Sequence, residues 1–246
     1  MKSPPKNGPA AILPLALDGV CYEAGGKRLL HGLTLTLHAG PRTLILGPNG
    51  AGKSLLLRLC HGLIAPSAGR VLWLGSDPGQ ARRRQAMVFQ RPVMLRRSAA
   101  ANLDYALKLR RLPAAARGHR IAEVLARTGL AHLAATPARA LSIGEQQRLA
   151  LARAWAVEPE VLFLDEPTAS LDPAATLAVE TLIVAMHAAG TKIVMTTHDL
   201  AQARRLADEI VFLDRGRLME QRPAAEFFAA PTTPQAAAFI AGTLAW

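Results

Sequence analysis

Gly47-Pro48-Asn49-Gly50-Ala51-Gly52-Lys53-Ser54 stands between an apolar run, Thr43-Leu44-Ile45-Leu46, and a stretch with helical spacing of apolar residues from 53 to 60. Strand, glycine-rich loop and helix in that order form an anion-binding loop at the tip of a sheet. The glycines let backbone N–H groups turn inward and surround phosphate oxygens. The helix that opens near Lys53 aims its positive end at the same point. Lys53 supplies a point charge for the β- and γ-phosphates of a nucleoside triphosphate, and the Ser54 hydroxyl is placed to ligate Mg²⁺. Loops of this kind serve kinases, GTPases, helicases and transport ATPases, so the rest of the chain has to choose among them.

Outward from the loop, short apolar or β-branched runs at 33–37, 71–74, 87–89, 161–164, 193–196 and 210–213 read as strands. Helical patterns at 173–187 and 200–207 fall between the later ones. Alternation of this kind predicts an α/β fold with a mostly parallel sheet. The run Val161-Leu162-Phe163-Leu164 is apolar at every position, which suits a central strand buried on both faces. Residues 91–158 differ: they lack strand signals and are rich in Ala, Leu and Arg. Amphipathic helices are expected at 102–110 and 114–128, with Gly129 as a stop. The chain therefore reads as one domain over 15–246, with its core at 15–90 and 159–246 and an inserted helical lobe at about 91–158. The prolines at 4, 5, 9 and 14 break any signal-peptide core, so 1–14 reads as a loose tail.

The apolar run 161–164 ends in Asp165-Glu166. A carboxylate at the tip of a central parallel strand lies beside the phosphate loop, where open α/β sheets bind ligands. Asp165 reads as the acid on the Mg²⁺ side, and Glu166 can hold an attacking water as general base. The alternative is that the pair simply caps the turn before Pro167. His198, at another strand end, reads either as a structural histidine or as a side chain reaching the γ-phosphate. Asp199 after it is a natural helix N-cap.

A net charge of +11 invites a nucleic-acid or anionic-membrane partner, but no compact basic stripe interleaved with aromatics accompanies it. The two cysteines, Cys21 and Cys60, have no metal-ligand spacing and read as small buried hydrophobes in a reducing compartment. No apolar run reaches the length of a bilayer span, so a cytoplasmic protein that meets a membrane only through a partner is expected.

Leu141-Ser142-Ile143-Gly144-Glu145-Gln146-Gln147-Arg148 resembles the signature motif of ATP-binding cassette (ABC) proteins. Phosphate loop (Walker A), signature, Asp165-Glu166 (Walker B) and downstream histidine occur in that family's order, and the resemblance runs from about 15 to 217. It implies a RecA-like P-loop NTPase core, an antiparallel β subdomain and the helical lobe. It implies ATP and Mg²⁺ as ligands, with Tyr22 stacking on the adenine. Gln90 matches the Q-loop glutamine, near Mg²⁺ and the attacking water. Ser170-Leu171-Asp172 matches the D-loop, and His198 the switch histidine. Ser142, Ile143, Gly144 and Glu145 stand at the start of a helix expected at 145–156 and are then expected to face ATP held by a second copy in a head-to-tail dimer. Two positions depart from the family pattern: Ile143 replaces its usual glycine and Glu145 its usual glutamine. Pro41 also stands where an acidic residue is common.

The resemblance implies an energy-coupling subunit of an ABC importer, peripheral on the inner face of the cell membrane. Its expected partners are an integral-membrane permease and, indirectly, a periplasmic or extracytoplasmic binding protein. The segment 89–98 looks like the Q-loop region of tungstate- and phosphate-type oxyanion importers, which makes tungstate, molybdate or phosphate the expected cargo. The ending Phe239-Ile240-Ala241-Gly242 is shared with that group and with polar amino-acid importers, so an amino-acid or other small-solute cargo is the alternative. No C-terminal regulatory domain is expected after Trp246. A soluble ABC ATPase acting on nucleic acid or the ribosome is the rival class. It is disfavoured by the single cassette and by the short lobe, which leaves no room for a long coiled coil, so no nucleic-acid partner is expected. A non-catalytic ATP-binding regulator is disfavoured by Lys53, Glu166 and His198.

Overall fold

The computed structural model describes residues 12–243. Along them come β1 (Leu15–Ala24), β2 (Lys27–Leu37), β3 (Thr43–Leu46), α1 (Lys53–His61), β4 (Ala68–Trp73), α2 (Pro78–Arg83), β5 (Gln85–Val88), α3 (Ala99–Leu109) and α4 (Ala114–Arg127). Then follow α5 (Ile143–Ala156), β6 (Val161–Asp165), α6 (Pro173–Ala188), β7 (Lys192–Thr196), α7 (Leu200–Leu206), β8 (Glu209–Asp214), β9 (Arg217–Pro223), α8 (Ala224–Ala229) and α9 (Pro234–Ile240). The strands form a six-stranded sheet in the order β5-β6-β7-β3-β8-β9 and a three-stranded sheet in the order β2-β1-β4. The larger sheet is parallel except for its edge strand β9, and the smaller is antiparallel throughout.

Side chains of the central strands alternate between two cores, as a period of two demands. Leu162 and Leu164, Ile193 and Met195, and Ile210 and Phe212 pack with the helices on one face. Val161 and Phe163, Val194, and Val211 and Leu213 pack on the other, against α1 and the small sheet. Burial on both faces explains why the middles of these strands are apolar, with polar residues such as Asp165, Lys192, Thr196, Glu209 and Asp214 only at their ends. Phe163 is fully buried, with His61 and Trp73 meeting its ring edge-on at 5.8 and 6.4 Å. Phe163→Ala should cost about 3–5 kcal/mol in unfolding free energy, measurable by urea denaturation.

The lobe is not a separate core. Leu103, Leu107, Val124, Leu125 and Leu149 join the same apolar cluster as one sheet face. Asn102 anchors the chain where it enters the lobe: fully buried, its Oδ1 accepts from Leu95 N at 3.1 Å and its Nδ2 donates to Ser98 O at 3.0 Å. Gly129 adopts φ +67° just past α4, the stop expected of it.

Three expectations need correction. The tail expected over 1–14 is too long: residues 1–11 lie outside the described residues, but Ile12 and Leu13 are buried and Ile12 N donates to Glu160 Oε2 at 3.1 Å. Their apolar side chains outweigh the proline signal. Cys60 is buried as expected, but Cys21 is only half-buried, in an irregular stretch of β1, and its Sγ accepts from Gly32 N at 3.2 Å. The signature helix begins at Ile143 rather than Glu145, because Ser142 itself caps it.

At the opposite end of the sheet from the phosphate loop, Lys192 is 2% exposed and donates to Pro41 O and to Thr43 Oγ1 (2.7 Å). Burial lowers its pKa to about 8, against the pull of Glu209 and Asp208. A base with a depressed folded pKa contributes stability that is present above its unfolded value and is lost as pH falls through the folded value. Wild-type stability relative to Lys192→Met should therefore rise between pH 8 and 10.5, read from paired denaturant midpoints. The comparison is needed because Cys60, its thiol pushed up to about 12 by burial, acts in the opposite direction above its ordinary range.

Candidate active site

β3 lies between β7 and β8, so the loop that leaves it sits where the chain connections diverge to either side. Gly47 has φ +149°, and a Cβ there would lie 2.1 Å from Leu213 O. Gly52, the N-cap of α1, has φ +96°, and a Cβ would meet Leu30 Cδ2 at 2.5 Å. Both positions require glycine, by conformation and by space. Ala51 is buried, and its carbonyl accepts from Gly216 N at 3.1 Å, which ties the loop to the β8–β9 turn.

Lys53 is 5% exposed. Its Nζ donates to Gly47 O at 2.8 Å and Pro48 O at 3.0 Å and lies 3.9 Å from Glu166 Oε1. Burial lowers its pKa, while Glu166 and Asp165 oppose that shift. Ser54 Oγ donates to Asp165 Oδ1 at 2.7 Å, and Thr196 Oγ1 donates to the same oxygen at 2.9 Å. A hydroxyl and a buried carboxylate side by side are hard oxygen donors, suited to a small divalent cation that takes its other ligands from phosphates and water.

Glu166 has φ +43°, a left-handed conformation unusual outside glycine and characteristic of functional sites. Its backbone N donates to Thr196 Oγ1 at 3.0 Å. The turn puts Glu166 Oε2 3.1 Å from His198 Nδ1, while Oε1 faces Lys53. Asp199 caps α7, its Oδ1 accepting from Ala201 N and Gln202 N, which fixes the exit of His198 from β7. Gln90, exposed just beyond β5, lines one cleft of about 390 Å³ with Glu166, Thr168, Ser170 and His198. Four of the singled-out side chains thus come together in one space.

Tyr22 is half-buried on β1 opposite Leu30, the residue whose side chain abuts Gly52. Its ring packs partly against the core of the small sheet, near the loop. The signature lies elsewhere. Ser142 Oγ accepts from Glu145 N at 3.3 Å and Ser142 N donates to Glu145 Oε2 at 2.8 Å, a reciprocal cap. That bond to the Ser142 backbone holds the Glu145 carboxyl below its ordinary range. Glu145 is therefore the acid a capping box needs at its third position. Ile143 is 65% exposed. A Cβ on Gly144 would lie 2.8 Å from Ala175 Cβ, so α5 starts against the first turn of α6, itself capped by Asp172 through Ala175 N at 2.8 Å. Among the described residues, no hydrogen bond or ion pair joins 142–145 to 47–54. Sequence reasoning missed Thr196, which holds both Asp165 and Glu166. Its only signal was a threonine ending an otherwise apolar buried strand.

The chain is similar to known proteins. Residues 30–169 match the family described as ABC transporter. The tungstate uptake system ATP-binding protein of Peptoclostridium acidaminophilum is 42% identical over 209 residues, covering 85% of this chain and 98% of that protein. The phosphate import ATP-binding protein of Natronomonas pharaonis is 37% identical, covering 94% and 88%. Relatives named for methionine and nickel import stand in the same range, at 40% and 39%. Among solved structures, cbiO1 of Clostridium perfringens, part of the ABC transporter complex cbiONQ, superposes with a TM-score of 0.79 at 32% identity over 88% of this chain and 90% of that one. The chain belongs to the ABC transporter family as an ATP-binding subunit. It is an ATPase coupled to import, working with a membrane permease. Among the described residues, no helix is long and apolar enough to cross a membrane.

Proposed function

We propose that the chain powers import of an oxyanion such as tungstate, molybdate or phosphate, by hydrolysing Mg²⁺-ATP in a dimer closed head to tail. The observation that carries the catalytic part is the Glu166 carboxylate held between His198 Nδ1 at 3.1 Å and Lys53 Nζ at 3.9 Å. Lys53 exchanges its two carbonyl partners for phosphate oxygens when ATP enters. Ser54 and Asp165 would hold Mg²⁺, with Gln90 near it, and the ion would supply charge neutralisation to the phosphates. Glu166 takes the proton of the attacking water, and His198 keeps that carboxylate aimed. Tyr22 stacks on the adenine. Ser142, Ile143, Gly144 and Glu145 of the second copy close on the γ-phosphate, with Ser170 and Asp172 at the contact between copies.

The exposed start of α5 supports this last part: a helix N-terminus whose capping box is in place and which, among the described residues, makes no hydrogen bond or ion pair to 47–54. The subunit sits peripherally on the inner face of the membrane, against the permease, and an extracytoplasmic binding protein delivers the cargo.

The oxyanion reading rests on the segment 89–98 and on the tungstate- and phosphate-named relatives. The methionine-named relative at 40% identity favours an amino-acid cassette as the second reading. The test is ATPase activity of the subunit reconstituted with its permease and binding protein. Stimulation by tungstate, molybdate or phosphate and not by methionine is expected; stimulation by methionine alone would replace the first reading with the second.

A further inference from the structure

Behind the cleft lies a polar cluster to which none of these roles has been given. The Glu180 side chain, on the inner face of α6, is 6% exposed. Its carboxylate accepts from Arg205 Nη2 at 2.7 Å, Arg205 Nε at 3.2 Å and Gln202 Nε2 at 2.9 Å. Gln202 is 1% exposed and stands in the first turn of α7, four residues after His198. Its Nε2 also donates to Thr168 Oγ1 at 2.8 Å. Thr168 stands two residues past Glu166 and lines the same cleft.

A carboxylate paired with arginine can only accept. Glu180 therefore forces Gln202 to turn its NH₂ inward and fixes the amide in one of its two orientations. The consequence is visible: Gln202 Oε1 is buried with no partner. An unpaired buried acceptor is unfavourable and calls for a reason beyond packing. With Gln202 donating to it, the Thr168 oxygen has a lone pair occupied on that side, so its own O–H must point away from Gln202. The cleft holding Glu166 and His198 is the space Thr168 lines.

We propose that Glu180 and Gln202 are positioning residues that hold the Thr168 hydroxyl as a donor into the cleft, toward the oxygens of the phosphoryl group being cleaved. The same bonds lock the turn after Glu166 to the helix after His198. The proposal rests on the reading of Glu166 and His198 as the catalytic pair.

The test is steady-state ATPase of the full chain with four variants, each checked for wild-type Tm and ATP affinity. Thr168→Val should lower kcat roughly tenfold with KM for ATP within about twofold, and Thr168→Ser should restore kcat. Gln202→Glu, which sets a second carboxylate against Glu180, should lower kcat at least as far. Adding Glu180→Gln to Gln202→Glu reinstates an amide–carboxylate pair but leaves at position 202 a carboxylate that can only accept the Thr168 O–H, so kcat should stay low, and recovery of kcat would overturn the proposal. Full kcat in Thr168→Val, or equal losses in Thr168→Val and Thr168→Ser, overturns the proposal while leaving the catalytic pair standing, provided Glu166→Gln is inactive. Full activity in Glu166→Gln removes the reading underneath it.

Discussion

Glu166→Gln should bind ATP with unchanged affinity and hydrolyse it about a thousandfold more slowly, the loss expected when a general base is replaced by its amide. The substitution keeps the shape, the left-handed backbone at φ +43° and a partner for His198 Nδ1. It removes only the ability to take a proton. In the proposed cycle hydrolysis reopens the closed dimer, so the variant should accumulate as an ATP-bound pair, visible as a doubled mass by light scattering. Wild-type turnover would exclude Glu166 as the base.

Lys53→Ala should weaken ATP binding by about 3 kcal/mol, a little over a hundredfold, because charge-assisted hydrogen bonds to two phosphates are lost. The group removed is 5% exposed and donates to two loop carbonyls, Gly47 O and Pro48 O. Its loss also strips Glu166 of the cation 3.9 Å away. Fluorescent ATP-analogue titration at fixed ionic strength measures the effect, with circular dichroism to show that the loop variant is folded. Affinity within a fewfold of wild type would mean that the loop amides alone carry the phosphates.

Residue type and spacing singled out 47–54, Asp165-Glu166 and His198 because each stands where a strand stops. The parallel strands were legible for the same reason: burial on both faces leaves an unbroken apolar run. Two strands escaped notice. β1 is interrupted by Gly19 and by register shifts between Leu17 and Tyr22, so its alternation fails. β9 is an edge strand whose run Arg217-Leu218-Met219-Glu220-Gln221-Arg222-Pro223 looks like a solvated loop. Its one buried carboxylate, Glu220, accepts on Oε1 from Thr232 N at 2.9 Å, Thr233 N at 2.6 Å and Thr233 Oγ1 at 2.7 Å, while Oε2 makes no hydrogen bond and faces Arg222 Nη1 at 3.7 Å. A partner twelve or more residues away leaves no local pattern. The contacts through Thr196 and Gln202 were hidden similarly, since they join residues about thirty positions apart that only the sheet brings together.

Mixing two inactive variants shows whether one copy's phosphate loop is completed by another copy's signature, as proposed. Lys53→Ala retains a sound signature, and Ser142→Arg retains a sound phosphate loop. Neither forms a complete site with its own kind, but a mixed pair contains one. ATPase activity in the mixture should stand well above the sum of the two proteins assayed alone. A mixture no more active than that sum would contradict the proposed completion.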